Sequence, residues 1–311
     1  MPRAIVVAGS LNMDLVMRVP RLPTPGETVG GGEFQTFPGG KGANQACAAA
    51  RLARDGTTTR MIGRVGDDAF ADRLRASLKQ AGVDVAGVET CRANPTGVAT
   101  ILVDANGQNT IAVAPGANAA WDAAQVRAAS ALYRSAGVAL FQLESPADAV
   151  AHLMAVARAS GARTILDPAP ARPLDSALLE NTDILTPNES EALILLGSDP
   201  GASLAAGDAA AAAKRLRALG AKTVVLKLGA AGCFFDNGAE SFAVPAFRVA
   251  AVDSTAAGDV FNGALAVALV EEQPWPEALR FANAAAAISV TRAGAQSSAP
   301  LRADVEAFLR R

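Results

Sequence analysis

Asp259 is the first residue in this sequence that calls for a chemical explanation. It stands one place after Gly258 in "DSTAAGDVFNGAL" (253–265), where a run of very small residues gives way to an apolar helix. A carboxylate in so apolar a segment needs a partner or a task. Thr255 is a suitable N-cap, and Ala256, Ala257 and Gly258 then offer unpaired backbone N–H groups in a first turn whose side chains are too small to screen them. Helix starts of this kind hold anions. Asp259 just beyond would repel a bound phosphate unless a neutral hydroxyl lay between them. That is the arrangement of phosphoryl transfer, an oxyanion pocket beside a base that takes the hydroxyl proton. An Asp that only stabilises its own helix N-terminus fits these residues equally well.

Three further stretches carry polar groups at places where chemistry is done. In "FPGGKGANQACAAARLA" (37–53), Gly39, Gly40 and Gly42 allow close backbone approach before an Ala-rich helix, and Lys41 and Asn44 can reach a ligand there. It is not a Walker loop, because Gly42 follows the lysine where Ser or Thr should stand. "AIVVAGSLNMD" (4–14) lacks GxGxxG, which removes support for a dinucleotide fold, but it places Asn12 and Asp14 at the C-terminal end of the first strand. Those side chains suit a neutral polyhydroxy ligand or, more plainly, an Asx turn. Glu144 follows the strand "VALFQL", and Asn188 with Glu191 in "TPNESE" fits either a water-mediated Mg²⁺ shell or an ordinary capping box. The single histidine, His152, falls beside an apolar helix stripe and reads as solvated, which excludes a Ser–His–Asp triad and a multi-histidine metal site.

The elements that must position these groups follow from periodicity. Strands are predicted at 4–9, 59–63, 138–143, 164–167, 183–186 and 223–229. Helices are predicted near 42–54, 67–81, 147–160, 188–196, 207–219, 257–272, 276–291 and 302–310, with the Ala-rich 202–213 stretch helical rather than a linker. Continuously apolar strands alternating with helices give a doubly wound α/β domain, its mostly parallel sheet covered on both faces. Residues 14–37, rich in Pro and Gly, and residues 96–116, two strands around Asn106-Gly107, are predicted to form a small β lid over it. The 311 residues are read as one domain carrying that lid.

Composition narrows the partners. Hydrophobic residues make up 50% and charged residues 19%, as in globular proteins, and the net charge of −2 offers no basic surface for nucleic acid or anionic lipid. No window approaches a membrane span, and the start reads as a buried strand rather than a signal peptide. Cys47, Cys91 and Cys233 lie far apart and are expected to be reduced and buried in a cytoplasmic protein.

Together these stretches resemble the ribokinase-like (PfkB) carbohydrate kinases. The resemblance runs in order through "GSLNMD", "PTPGETV", "GGKGANQA", "QLESP", "DPAPAR", "TPNESEA", "LGAAG", "VDSTAAGDVFNGAL" and "FANAAAAISVTRAGAQSS", nearly the whole chain. It implies ATP-dependent phosphorylation of D-ribose at its 5-hydroxyl. In that scheme Asn12, Asp14, Gly40, Lys41, Gly42, Ala43, Asn44 and Glu144 bind the sugar. Asp259 is the base, and Ala256, Ala257 and Gly258 form the anion hole. The resemblance places the nucleotide on Asn188, the loop Lys227, Leu228, Gly229, Ala230, Ala231 and Gly232, and Gly258 and Asn283, with Glu191 helping to place Mg²⁺. Asp253, Thr255, Ser289, Arg292, Gly294 and Ser298 match a K⁺ site beside the anion hole, and the lid is expected to join a homodimer. Two positions depart from the pattern: Lys227 stands where Thr is expected, and Asn283 where His is. The rival readings are a sister kinase for deoxyribose, fructose or a nucleoside, and a non-catalytic sugar-binding regulator.

Overall fold

Runs such as residues 5–7 and 224–226 have no polar side to show to water, so they are stable only inside a sheet covered on both faces. The computed structural model describes residues 4–198, 204 and 207–310 and places them there. In chain order the first strands are β1 (Ala4–Ala8), β2 (Asn12–Arg18), β3 (Phe34–Gly39), β4 (Thr59–Val65), β5 (Val83–Thr90), β6 (Gly97–Val103) and β7 (Asn109–Ala114). The rest are β8 (Ala136–Phe141), β9 (Arg163–Leu166), β10 (Ile184–Leu185), β11 (Thr223–Lys227), β12 (Cys233–Asp236) and β13 (Ser241–Val244). Among the described residues they form two sheets. The larger runs β13-β12-β11-β10-β9-β8-β1-β4-β5, parallel except for the terminal β11–β12–β13 meander. The smaller runs β3-β2-β6-β7 and is the predicted lid, its hairpin turning at Gly107 with φ 79°.

The helices are α1 (Lys41–Leu52), α2 (Ala69–Gln80), α3 (Ala123–Ala129), α4 (Ala147–Ala159), α5 (Ser176–Glu180), α6 (Glu189–Leu195), α7 (Ala209–Ala218), α8 (Ala257–Val270), α9 (Trp275–Ser289) and α10 (Arg302–Leu309). Two of them set the site. α8 is apolar almost all round and buried from Asp259 to its last turn, with α1 packed directly on it. The close fit depends on Gly263. A Cβ there would lie 2.8 Å from both Gln45 O and the Ala48 methyl. This contact brings the first turn of α1 beside the first turn of α8.

Several expectations need correction. Asn12 and Asp14 do not end the first strand. That strand stops at Ala8, and both residues belong to β2 of the lid. The break falls at Gly9 and Ser10, because Gly9 sits so close to Gln142 and Gly42 that no side chain fits. Thr255 is not the cap of α8. Ala256 is, in the left-handed conformation (φ 58°), and the Thr255 N–H instead turns back to Asp253 Oδ1 at 2.9 Å. The strand predicted at 223–229 ends at Lys227, and a 3₁₀ turn, Gly229–Ala231, follows. β5, α3, α5 and the β12–β13 hairpin were not predicted. The last turns at Asn237-Gly238, the same signal that marks the lid hairpin. Of the Ala-rich stretch, 202, 203, 205 and 206 lie outside the described residues, and α7 begins at Ala209. His152 is exposed, and the three cysteines are free and buried.

Candidate active site

α1 starts at Lys41, directly after Gly40, whose φ of 89° suits glycine. A Cβ at Gly40 would also strike Asn12 N at 2.6 Å, so the absence of a side chain lets α1 begin against the lid strand. Across this junction Glu144 Oε2 accepts from Ser10 Oγ, from Asn12 Nδ2 (3.4 Å) and from Lys41 N (3.2 Å). Asn118, buried after the lid, holds the Leu11 backbone on both sides and donates to Asn12 Oδ1 at 2.8 Å. The sugar-binding residues predicted from sequence are thus gathered from β2, the start of α1 and the end of β8.

Asp259 is 6% exposed in the first turn of α8. Asn44 Nδ2 donates to its Oδ2 and Gln45 Nε2 to its Oδ1, each at 3.0 Å. Burial is the largest influence on its carboxyl and pushes the pKa up to about 6, against the pull of Lys41. Asp14 is pushed up to about 7 by burial and by the charges of Glu144 and Asp259. Burial alone would lower the Lys41 ammonium, but Asp259, Glu144, Asp167 and Glu191 outweigh it and hold Lys41 above the ordinary lysine range. The cluster therefore keeps a proton acceptor, a fixed cation and a half-protonated acid together near neutral pH.

Two cavities meet at this turn. A polar one of about 500 Å³ is lined by Lys41, Asp167, Asn188, Glu191, Lys227 and the 256–259 turn. A largely apolar one of about 590 Å³ lies between Gly229, Gly232, Phe247, Val249, Phe261 and Asn283. Lys227, Gly229, Ser254, Ala257 and Gly258 border both. The helix start is narrower as an anion hole than expected, because the Ala257 N–H donates to Ser254 O at 3.2 Å. Among the described residues no acceptor takes the Ala256 or Gly258 N–H. The Lys227 ammonium stands over the same turn, 3.3 Å from where a Cβ on Gly258 would be.

Lys227 does not extend into water. Its ammonium pairs with Asp167 at 3.0 Å, with 12% of the lysine side chain and 3% of the aspartate exposed. Ala230 lines the apolar cavity, whereas Leu228 packs into the core and Ala231 turns its N–H to Leu228 O. Asn283 donates to Val244 O (3.1 Å) and Pro245 O (3.3 Å), fixing the loop that walls the cavity. Asn188 and Glu191 close a full capping box in which Glu191 accepts from Asn188 N and Nδ2, while burial, the largest influence, lifts the Glu191 carboxyl against the pull of Lys227 and of the Asn188 N–H. Asp253 joins two loops, accepting from Thr255 N and Gly294 N at 2.9 Å each. Arg292 faces Asp304 at 3.0 Å, and the Ser289 and Ser298 hydroxyls turn to carbonyls of their own segments. Among the described residues no cluster of three or more His, Cys, Asp or Glu side chains has metal-ligand geometry.

Sequence reasoning gave no role to Gln45, Gln142, Asp167, Ser10 or Asn118. A signal existed for Asp167, an acid directly after the buried strand β9.

The profile of the pfkB family carbohydrate kinases matches residues 2–302. This chain belongs to that family. It is 41% identical over 309 residues to the ribokinase of Haemophilus influenzae, with 99% of each chain covered. Among solved pfkB-family structures, the ribokinase of Thermotoga maritima superposes with a TM-score of 0.88 at 39% identity, covering 99% of this chain and 100% of that one. The Arabidopsis thaliana ribokinase complexed with ribose and ATP gives a TM-score of 0.88 at 34% identity, with both chains fully covered at 100%. The family resemblance seen in the motifs, and the α/β fold it implied, are both borne out. No helix among the described residues is long and apolar enough to cross a membrane.

Proposed function

We propose that this chain transfers the γ-phosphoryl group of ATP to the 5-hydroxyl of D-ribose, giving ribose 5-phosphate and ADP. The observation that carries the reading is the Asp259 carboxylate, buried and held by two α1 amides, lining the polar cavity one residue beyond Gly258, which borders both cavities. Asn12, Asp14, Lys41, Asn44 and Glu144 supply the mixed donors and acceptors a pentose needs, and the apolar cavity suits an adenine. Asp259 takes the hydroxyl proton as that oxygen bonds to phosphorus and the bond to ADP breaks. Charge on the moving phosphoryl meets the Gly258 and Ala256 N–H groups and the Lys227 ammonium. A non-catalytic sugar binder needs no such base. ADP release from ATP with ribose, 2-deoxyribose, fructose and adenosine tests the reading, and turnover fastest with a sugar other than ribose would overturn the substrate assignment.

The same reading includes two ions, a homodimer joined through the lid and a cytoplasmic site of action. Mg²⁺ keeps most of its waters, so one carboxylate such as Glu191 beside the phosphates fits its habits, and it would neutralise phosphate charge there. The loops 253–255 and 289–298 are joined by the Asp253 carboxylate, which accepts from Thr255 N and Gly294 N, and K⁺ there would be held mainly by carbonyl oxygens of these loops. Replacing Na⁺ by K⁺ at constant ionic strength is expected to raise activity several-fold, and Asp253→Ala to abolish the response. Equal rates in both salts would show that the site is inert. The half-exposed Phe34, Ile111 and Val113 on the lid support the dimer.

Lys227→Thr removes a cation that borders both cavities. A charged hydrogen bond contributes about 1.5–3 kcal/mol, so KM for ATP is expected to rise at least a few-fold, with a smaller change for ribose. ATP binding should also weaken less with added salt. Asp167 is left buried without its partner, so the melting temperature should fall as well. Unchanged ATP affinity and salt dependence would remove Lys227 from the phosphate site.

A further inference from the structure

We infer that Gln45 is the positioning residue of this site: its one amide NH₂ group aims the Asp259 carboxylate and fixes Asp167, and through it Lys227, at a set distance from the base. This role rests on the phosphoryl-transfer reading above. Gln45 is fully buried, and its Nε2 donates to Asp259 Oδ1 and to Asp167 Oδ2, both at 3.0 Å. An amide nitrogen carries two hydrogens, so each carboxylate takes one and none is left over. Gln45 Oε1 accepts from Gln142 Nε2 at 2.7 Å. That bond fixes which way the amide faces, since the flipped amide would point a carbonyl at two carboxylates. Gln142 is itself 1% exposed and wedged against Gly9, where a Cβ would meet its Oε1 at 1.9 Å.

The arrangement does more than brace a helix. Two carboxylates on one donor group repel, and each makes the other hold a proton more firmly. Lys227, 3.0 Å from Asp167, offsets that repulsion from the nucleotide side. The charged groups facing Asp259 are Lys41 from α1, Asp167 from the end of β9 and Asp14 from β2, with Glu144, Lys227 and Glu191 beyond them. Removing the Gln45 amide takes away a bond that favours ionised Asp259 and frees the carboxylate to turn. The base then keeps its proton to higher pH and meets the hydroxyl less often in line.

The test compares wild type, Gln45→Met and Gln142→Leu in three measurements. These are ribose-dependent ADP release over roughly pH 5 to 9, thermal melting, and ¹³C-NMR titration of labelled Asp carboxyls. Gln45→Met should lower kcat about tenfold or more with KM for ribose nearly unchanged. Its acid limb and the Asp259 titration should both move up by about half a pH unit or more. Gln142→Leu should move both in the same direction by less. Wild-type turnover judges the kinase reading separately, because the carboxyl titration reports on Gln45 whether or not ribose is the substrate. If Gln45→Met fails to melt cooperatively, the Gln142→Leu titration decides. An unmoved Asp259 titration with wild-type kcat overturns the inference. So does a loss of kcat with no shift in either pH readout, which would mark Gln45 as structural only.

Discussion

Asp259→Asn should lower kcat by about a hundredfold or more, the usual cost of losing a general base, while ribose affinity changes far less. An amide can still hydrogen-bond the sugar but cannot take its proton. The wild-type pH profile provides the companion measurement. Asp259 must be ionised to act, and burial pushes its carboxyl up to about 6, so kcat/KM should fall as pH drops through that value. The sign for stability runs the other way. A carboxyl whose folded pKa lies above its unfolded one favours folding when protonated, and that contribution is lost as pH rises from the ordinary carboxylate range towards about 6. A variant with more than half the wild-type kcat would remove Asp259 from the mechanism.

Gly263→Leu is expected to damage fold and activity together. The space at Gly263 is already occupied by Gln45 O and the Ala48 methyl at 2.8 Å and by Ala49 N at 2.9 Å, two of them backbone atoms that cannot rotate away. Overpacking of this kind costs about 1–3 kcal/mol, and α1 must shift away from α8. Asn44 and Gln45 then lose their alignment on Asp259, four residues before the substituted position. Melting temperature and kcat should both fall, whereas KM for ATP should change little, since Gly263 faces away from the nucleotide cavity. Wild-type values of both would mean that α1 and α8 need not be so close for catalysis.

What could be read from the sequence was local. The small residues before Asp259, the Asn-x-x-Glu at 188–191 and the glycines around Lys41 each lie within one turn or loop, and the structure puts them at helix starts. The capping box formed as the plain reading of Asn188 and Glu191 had it. The partners that orient the site were not legible because they are distant in sequence. Gln45 meets Asp167 across 122 residues and Asp259 across 214, and Lys227 meets Asp167 across 60. Thr255 failed as a cap for a different reason. The chain enters α8 through a left-handed Ala256, so the helix starts one residue later than Thr255 would set it, a conformation composition does not foretell. β5 was missed because its mixed, edge-exposed pattern carries no clean alternation, and β12–β13 because its Asn-Gly turn was passed over.

The division of the proposed sugar contacts between two sheets would have a consequence for selectivity. Asn12 and Asp14 ride on β2, in the small sheet, whereas Glu144 stands in the loop just after β8 of the main sheet and Asn44 on the first helix. A pentose held by both sets would act as a tie rod between the small sheet and the main one. Hydroxyls bound on β2 would tie the small sheet to the sugar, and those bound at α1 would set where the 5-oxygen meets Asp259. A sugar lacking a hydroxyl on the lid side would lose that tie as well as the hydrogen bond. Discrimination of this sort would be expected to show as ATP hydrolysis without sugar phosphorylation, not only as weak binding.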